Sequence, residues 1–394
     1  MVETPPKAAP APAPAHAHAR IDVLDGFRAV GVLLVMGFHY GPRWSHPWTN
    51  QHVLPYGDML SGIVPFLYGR SHACMFFILS GFVILLTLER CTSVLDFLRK
   101  RVARLQPTLL LCAAITTAMI WFLAPHNWIR DPVSFVLSVL MIDPHMLQPW
   151  FPHTQLGWVD GAYWTLAVEA RFYILVALLF LLGRKAFLPV WLGLTVVAFF
   201  LGYPGIARLP ELSWPRMILM PTYTPYFTIG ICLFEIYRAK AWRLLPTIGF
   251  VAGTVMVLVN ALWWTRFAYE PAIGRAIVNA VWIAAFVLFV IESPVVRPLG
   301  WRPLTILGGA GYSLFLLHEA AGAALMRPFE TLGVWPPLIL VISVVSMIAL
   351  ALAIHRWFEE PARVWLLKAT QGMVARVSAL APWLNYQPAP AKPR

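Results

Sequence analysis

The sequence predicts an all-α fold, a polytopic integral membrane protein with about ten transmembrane helices. Three observations carry this: an oil-rich composition, apolar runs of spanning length along nearly the whole chain, and a one-sided placement of lysine and arginine. Hydrophobic residues make up 59% of the 394 and charged residues only 12%, with a mean hydropathy of +0.68. Soluble domains carry about 25% charged residues, so this composition belongs in lipid. Because the apolar runs are spread evenly, one membrane domain is the simpler reading than several soluble ones. Cys74, Cys91, Cys112 and Cys232 lie in or beside apolar segments without paired spacing. Neither a disulfide framework nor a metal site is expected from them.

The elements follow in order. Residues 1–20, "MVETPPKAAPAPAPAHAHAR", are Ala/Pro-rich and are expected to form a disordered tail, not a cleaved signal peptide, because the first apolar run begins only afterwards. Ten apolar segments come next, each close to the about 20 residues that a span needs. They lie at 22–40, 72–89, 106–124, 163–182, 186–202, 217–237, 244–264, 272–292, 304–326 and 335–357. A shorter run, "PVSFVLSVLMI" at 132–142, is expected to be re-entrant or interfacial. The membrane domain is expected over 21–365 and a cytoplasmic C-terminal tail over 366–394, of which the last stretch, "PWLNYQPAPAKPR", is expected to be flexible. No internal repeat is visible, which argues against an inverted-repeat transporter.

Charge placement orients the helices. With the N-terminus inside, 20 of the 30 Lys and Arg fall in inside loops or tails and 8 in outside loops, with Arg28 and Arg171 within spans. All six lysines fall inside. This is the positive-inside pattern, and it predicts an inner-membrane protein with both termini cytoplasmic. The net charge of +12 then faces the cytosol and anionic lipid, so membrane lipid and not nucleic acid is the expected partner.

Within the first span, "DGFRAVGVLLVMGFHY" places Arg28 and His39 eleven residues apart. That spacing puts them on one helix face, about 16 Å apart along the axis. Each alone could snorkel to its own interface, but two on one face predict a polar path through the bundle. "YWTLAVEARFYIL" sets Glu169 two turns into the fourth span, at about the depth of His39. Glu169 is expected either to pair with His39 or to hold the bundle together through Arg171 or another helix. "MFFILSGFVI" places Ser80 and Gly81 mid-span, where small residues mean close packing. "GYSLFLLHEAA" puts His318 and Glu319 inside the ninth span. "FLRKRVARLQP" sets Arg101 and Arg104 one turn apart at the inner mouth, either an ordinary inside loop or a phosphate clamp.

These motifs together resemble the acyltransferase-3 type family of integral membrane O-acyltransferases, over about residues 21–365. "LDGFRAVGVLLVMGFH" is similar to the opening Arg-x10-His signature of that family, through Arg28 and His39. "FFILSGFVI", "RKRVARLQP", "YWTLAVEARFY", "GYSLFLLHEA" and "RWFEEPAR" resemble its later blocks in order. Ala170 stands where the family often has a second glutamate, and "HAC" (72–74) where Gly-Val-Asp often precedes the Phe-Phe pair.

The resemblance implies a cytosolic acyl-CoA donor, most often acetyl-CoA, and transfer to a hydroxyl of a sugar or small molecule. Arg28, Arg101 and Arg104 are then expected to hold the CoA phosphates, His39 to act as general base, and Glu169 to orient it. Trp150 and Trp158 in the outer loop 143–162 are expected either to stack on acceptor sugars or to anchor at the interface. His318 is expected near the acceptor. His46, His52, His72, His145 and His153 also lie on the outer side, but without metal-ligand spacing, so no metal is expected. No hydrolase-like soluble domain follows the last run, so direct transfer to the acceptor is expected. A surface or secreted glycan is the default acceptor. The rival reading is a transporter or flippase of a glycan intermediate or small anion, for which polar groups in the spans suit equally well.

Overall fold

The computed structural model describes residues 15–44, 59–60, 62–263 and 270–386, and these form an all-helical bundle without a strand. The helices used below are α1 (Ala15–Tyr40), α2 (Gly69–Leu88), α3 (Val94–Leu123), α4 (Pro132–Val139), α5 (Trp164–Leu179), α6 (Arg184–Leu201), α7 (Thr224–Ala239), α8 (Leu244–Trp263), α9 (Ala272–Val290), α10 (Arg302–Gly309), α11 (Gly311–Leu317), α12 (Ala320–Thr331), α13 (Pro336–Ile354) and α14 (Glu360–Leu380). Among the described residues, nine helical stretches are long and apolar enough to cross a membrane. The protein is a polytopic α-helical membrane protein. Nine of the ten expected runs correspond to these stretches. The short run 132–142 yields the two-turn helix α4, capped by the Asp131 side chain on the Val133 N–H.

The core forms where aromatic faces meet. Phe27 of α1 stacks on Phe286 of α9 at 4.7 Å, and Phe172 of α5 on Phe227 of α7 at 3.8 Å. Where α2 crosses α7 the backbones nearly touch. A Cβ at Gly81 would collide with the Phe227 carbonyl, and one at Gly230 with the Ile78 carbonyl. Small residues at a crossing are how membrane helices gain van der Waals contact, since lipid is as apolar as leucine. This is the close packing expected of Gly81; Ser80 instead lines a cavity and donates to Glu169.

Two expectations about the elements are corrected. The run 304–326 is not one span: it is divided into α10, α11 and α12, with breaks at Ala310 and at His318–Glu319. In a continuous helix the Ala320 N–H would bond to the Leu316 carbonyl. Here the Leu316 carbonyl accepts from the Tyr163 hydroxyl (3.1 Å), and the Ala320 N–H donates to Asp160 Oδ2 (2.8 Å). Irregular backbone at membrane depth persists only where protein groups satisfy it, and the stretch 160–163 does so.

The ends also differ from expectation. Helix α1 already begins at Ala15, and the stretch expected to be flexible opens with an ordered turn, Pro382–Leu384, after α14. Beyond it, the Tyr386 N–H donates to the Thr92 carbonyl (2.9 Å), and its ring packs edge-on against Phe180 at 5.0 Å. Residues 1–14 and 387–394 of the expected tails lie outside the described residues.

Candidate active site

Two polar chambers open within the bundle, one near each end of α1. At the Arg28 end, a cavity of about 130 Å³ is lined by Arg28, Arg101, Arg104, Ser80, Glu169 and Tyr173, among others. At the His39 end, one of about 390 Å³ is lined by His39, Arg43, Arg70, Trp164, Glu270 and Glu319, among others. The helical spacing of Arg28 and His39 thus places each in its own chamber.

The His39 chamber is built around an imidazole–carboxylate pair. His39 Nδ1 lies 3.3 Å from Glu319 Oε1, and the two side chains are only 12% and 5% exposed. The approach is of ion-pair distance without a formed hydrogen bond; a proton carried on Nδ1 toward Glu319 would leave Nε2 to take another, as in a catalytic triad. The expected pairing of His39 with Glu169 is therefore corrected. Glu169 instead accepts from the Ser80 and Tyr173 hydroxyls in the other chamber. Arg171 does not hold Glu169 either; it donates to the Ala167 and Met217 carbonyls at 2.8 and 3.1 Å. Glu319 reaches His39 because the chain breaks there and because Gly161 has no side chain. A Cβ at Gly161 would collide with both Glu319 carboxylate oxygens.

His318 is fully buried behind the pair. Its ring stands edge-on to His39 at 4.9 Å, and its Nδ1 donates to the Phe315 carbonyl at 2.8 Å. It is not among the residues lining the chamber and stands behind His39 instead of at the cavity wall. Of the two readings of Trp150 and Trp158, platform or interfacial anchor, the platform at this chamber is not what the structure shows. Trp158 is buried in the core, and Trp150 is 66% exposed; neither lines the chamber. Trp164 does, with the Arg70 guanidinium 4.6 Å from its ring centroid. Glu270 completes this wall, accepting from the Arg70 N–H (2.9 Å) and the Ser71 hydroxyl (2.8 Å). Burial pushes the Glu270 carboxyl above its usual range, and those two hydrogen bonds and Arg70 oppose the shift.

The Arg28 chamber concentrates positive charge. Arg28 is paired to Asp25, and Arg101 donates to the Thr87 hydroxyl while lying over the Phe97 and Tyr173 rings at 5.5 and 5.3 Å. The Arg104 side chain, within α3, reaches the cavity wall without a side-chain hydrogen bond or ion pair among the described residues. Glu359 enters the wall from the π-helical turn His355–Glu359, holding the Ser313 hydroxyl and His355 Nδ1 at 3.1 Å each. Arg28 is neutralised by Asp25, but the Arg101 and Arg104 guanidiniums in the same wall offer donors suited to phosphate or carboxylate anions.

The family model described as an acyltransferase domain matches residues 21–356. The chain belongs to this family. Among relatives of this acyltransferase-domain protein, acyltransferase MdmB of Streptomyces mycarofaciens is 29% identical over 242 residues, covering 57% of the chain and 59% of the relative. O-acetyltransferase OatA of Staphylococcus aureus is 23% identical over 384 residues, covering 86% of the chain and 57% of the relative. The O-acetyl transferase of Shigella phage Sf6 is 29% identical over 143 residues, covering 32% and 42%. The chain spans about half the length of the relatives it matches. No solved structure matches it.

The sequence marks Glu319 as an acid in an apolar run but assigns it no partner, and it gives Arg70, Trp164 and Glu270 no pattern that places them at a site. Trp164 opens the same block as Glu169, and Glu270 is an acid isolated between two apolar runs. Those signals were present, but nothing in the sequence says that they face His39.

Proposed function

We propose that the protein is a membrane O-acyltransferase that moves an acyl group from acyl-CoA to a carbohydrate hydroxyl. The observation that carries this reading is the pair of chambers at the two ends of α1, one rich in guanidinium groups and one holding a histidine–carboxylate pair. Arg28, Arg101 and Arg104 bind the CoA phosphates, and the Arg28 end faces the cytosol of the inner membrane, a sidedness supported by the lysine and arginine count. The pantetheine arm spans the about 16 Å between Arg28 and His39 and brings the thioester to the second chamber. His39 Nε2 takes the proton of the acceptor hydroxyl as its oxygen attacks the thioester carbonyl. The C–S bond then breaks, and the thiolate leaves with that proton as CoA. Glu319 holds the imidazole and stabilises its cation, and Trp164 with Arg70 forms the wall against which the sugar rests. Acetyl is the favoured acyl group, since two of the three relatives are named as O-acetyl transferases.

The test is the protein in liposomes, supplied with acetyl-labelled acetyl-CoA and a cell-envelope extract as the source of acceptor. CoA release and label on a glycan are expected, both lost in His39→Ala. A well-folded protein that releases no CoA from any acyl-CoA would overturn the reading in favour of transport.

A further inference from the structure

The backbone break beside His39 is held open by one short stretch, residues 160–163. Asp160 is fully buried. Its Oδ1 accepts from the Ala162 N–H (2.9 Å), capping the turn that leads into α5, while its Oδ2 accepts from the Ala320 N–H (2.8 Å) at the start of α12. Three residues on, the fully buried Tyr163 hydroxyl donates to the Leu316 carbonyl at 3.1 Å. The two backbone groups that a continuous helix would pair with each other are thus both held by side chains from a different segment. Between them, Gly161 leaves the space that the Glu319 carboxylate fills.

We propose that Asp160 and Tyr163 are positioning residues for the catalytic pair, setting where Glu319 meets His39 by keeping the ninth membrane segment broken. The inference rests on the acyltransferase reading of this site. A buried donor or acceptor left without its partner costs the full desolvation penalty of that group. Removing either side chain therefore favours a rejoined Leu316–Ala320 bond, which winds His318 and Glu319 into a continuous helix and turns the carboxylate away from His39. Neither residue touches donor or acceptor in this scheme, so the effect belongs to turnover and not to binding. A misplacement of about 1 Å in such a pair can cost about a hundredfold in rate.

The experiment measures acetyl transfer by reconstituted wild type, Asp160→Asn, Tyr163→Phe, Glu319→Gln and the Asp160→Asn/Glu319→Gln double variant. Asp160→Asn and Tyr163→Phe should each lower kcat by about ten- to a hundredfold with KM for acetyl-CoA unchanged. Asp160→Asn should cost nothing further in the Glu319→Gln background, because both act through one carboxylate. If Glu319→Gln leaves no measurable turnover, the same comparison uses Asp160→Asn with Tyr163→Phe, whose double variant should be no slower than the slower single. Multiplying factors in these cycles, or wild-type kcat in both single variants, would overturn the assignment. An inactive wild type would instead overturn the acyltransferase reading beneath it.

Discussion

At the scale of single residues, two carboxylates lie in two chambers and do different work. Glu319 sits with His39, so Glu319→Gln should lower kcat by about 10²–10⁴-fold while the protein still folds and still binds acyl-CoA. Glu169 sits with Ser80, Tyr173 and the arginines, so Glu169→Gln should act mainly on the KM for acyl-CoA. Arg104→Ala should raise that KM about tenfold with little change in kcat, the signature of lost uniform binding. Steady-state kinetics on the purified variants separates these cases; a kcat effect larger for Glu169→Gln than for Glu319→Gln would contradict the assignment. The sequence made both carboxylates conspicuous, because an acid in an apolar run needs a partner. It could not say which one meets His39. Helical spacing fixes depth and face within one helix, as it did for Arg28 and His39, but carries no information about which face of a second helix turns inward.

At the scale of elements, hydropathy located nine of the membrane segments because spanning length is a property of composition. It mistook the tenth for a continuous helix because 304–326 is apolar on both sides of His318–Glu319, and the break depends on hydrogen bonds from a segment about 150 residues earlier in the chain. The same blindness hid Tyr386, whose anchorage depends on Thr92. Tight crossings are open to direct test. In Gly230→Ala the new methyl group meets the Ile78 backbone, which cannot swing aside as a side chain would. Overpacking of this kind costs about 1–3 kcal/mol, so thermal unfolding in detergent should shift downward by several degrees. Gly161→Ala should behave in the opposite way: its methyl group displaces a carboxylate and no backbone, so activity should be lost with unfolding nearly unchanged.

At the scale of the whole molecule, the two chambers share just two lining residues among those described, Thr165 and Phe315. Phe315 also meets Phe76 edge-on at 5.6 Å, and the Thr165 hydroxyl is turned back onto the Ala162 carbonyl at 2.9 Å. The donor arm passes this wall in the proposed reaction. Thr165→Trp should then abolish acetyl transfer while CoA still binds at the arginine end, measurable as separate binding and turnover assays; transfer at the wild-type rate would place the route elsewhere. The wall has an electrical consequence too. A bundle hollowed from both ends would conduct ions if its cavities merged, and each elementary charge that crossed would dissipate about 2.3 kcal/mol per 100 mV of membrane potential. Phe315 and Thr165, common to both linings, stand between the two cavities, and enlarging that gap should raise ion leakage through the protein in liposomes.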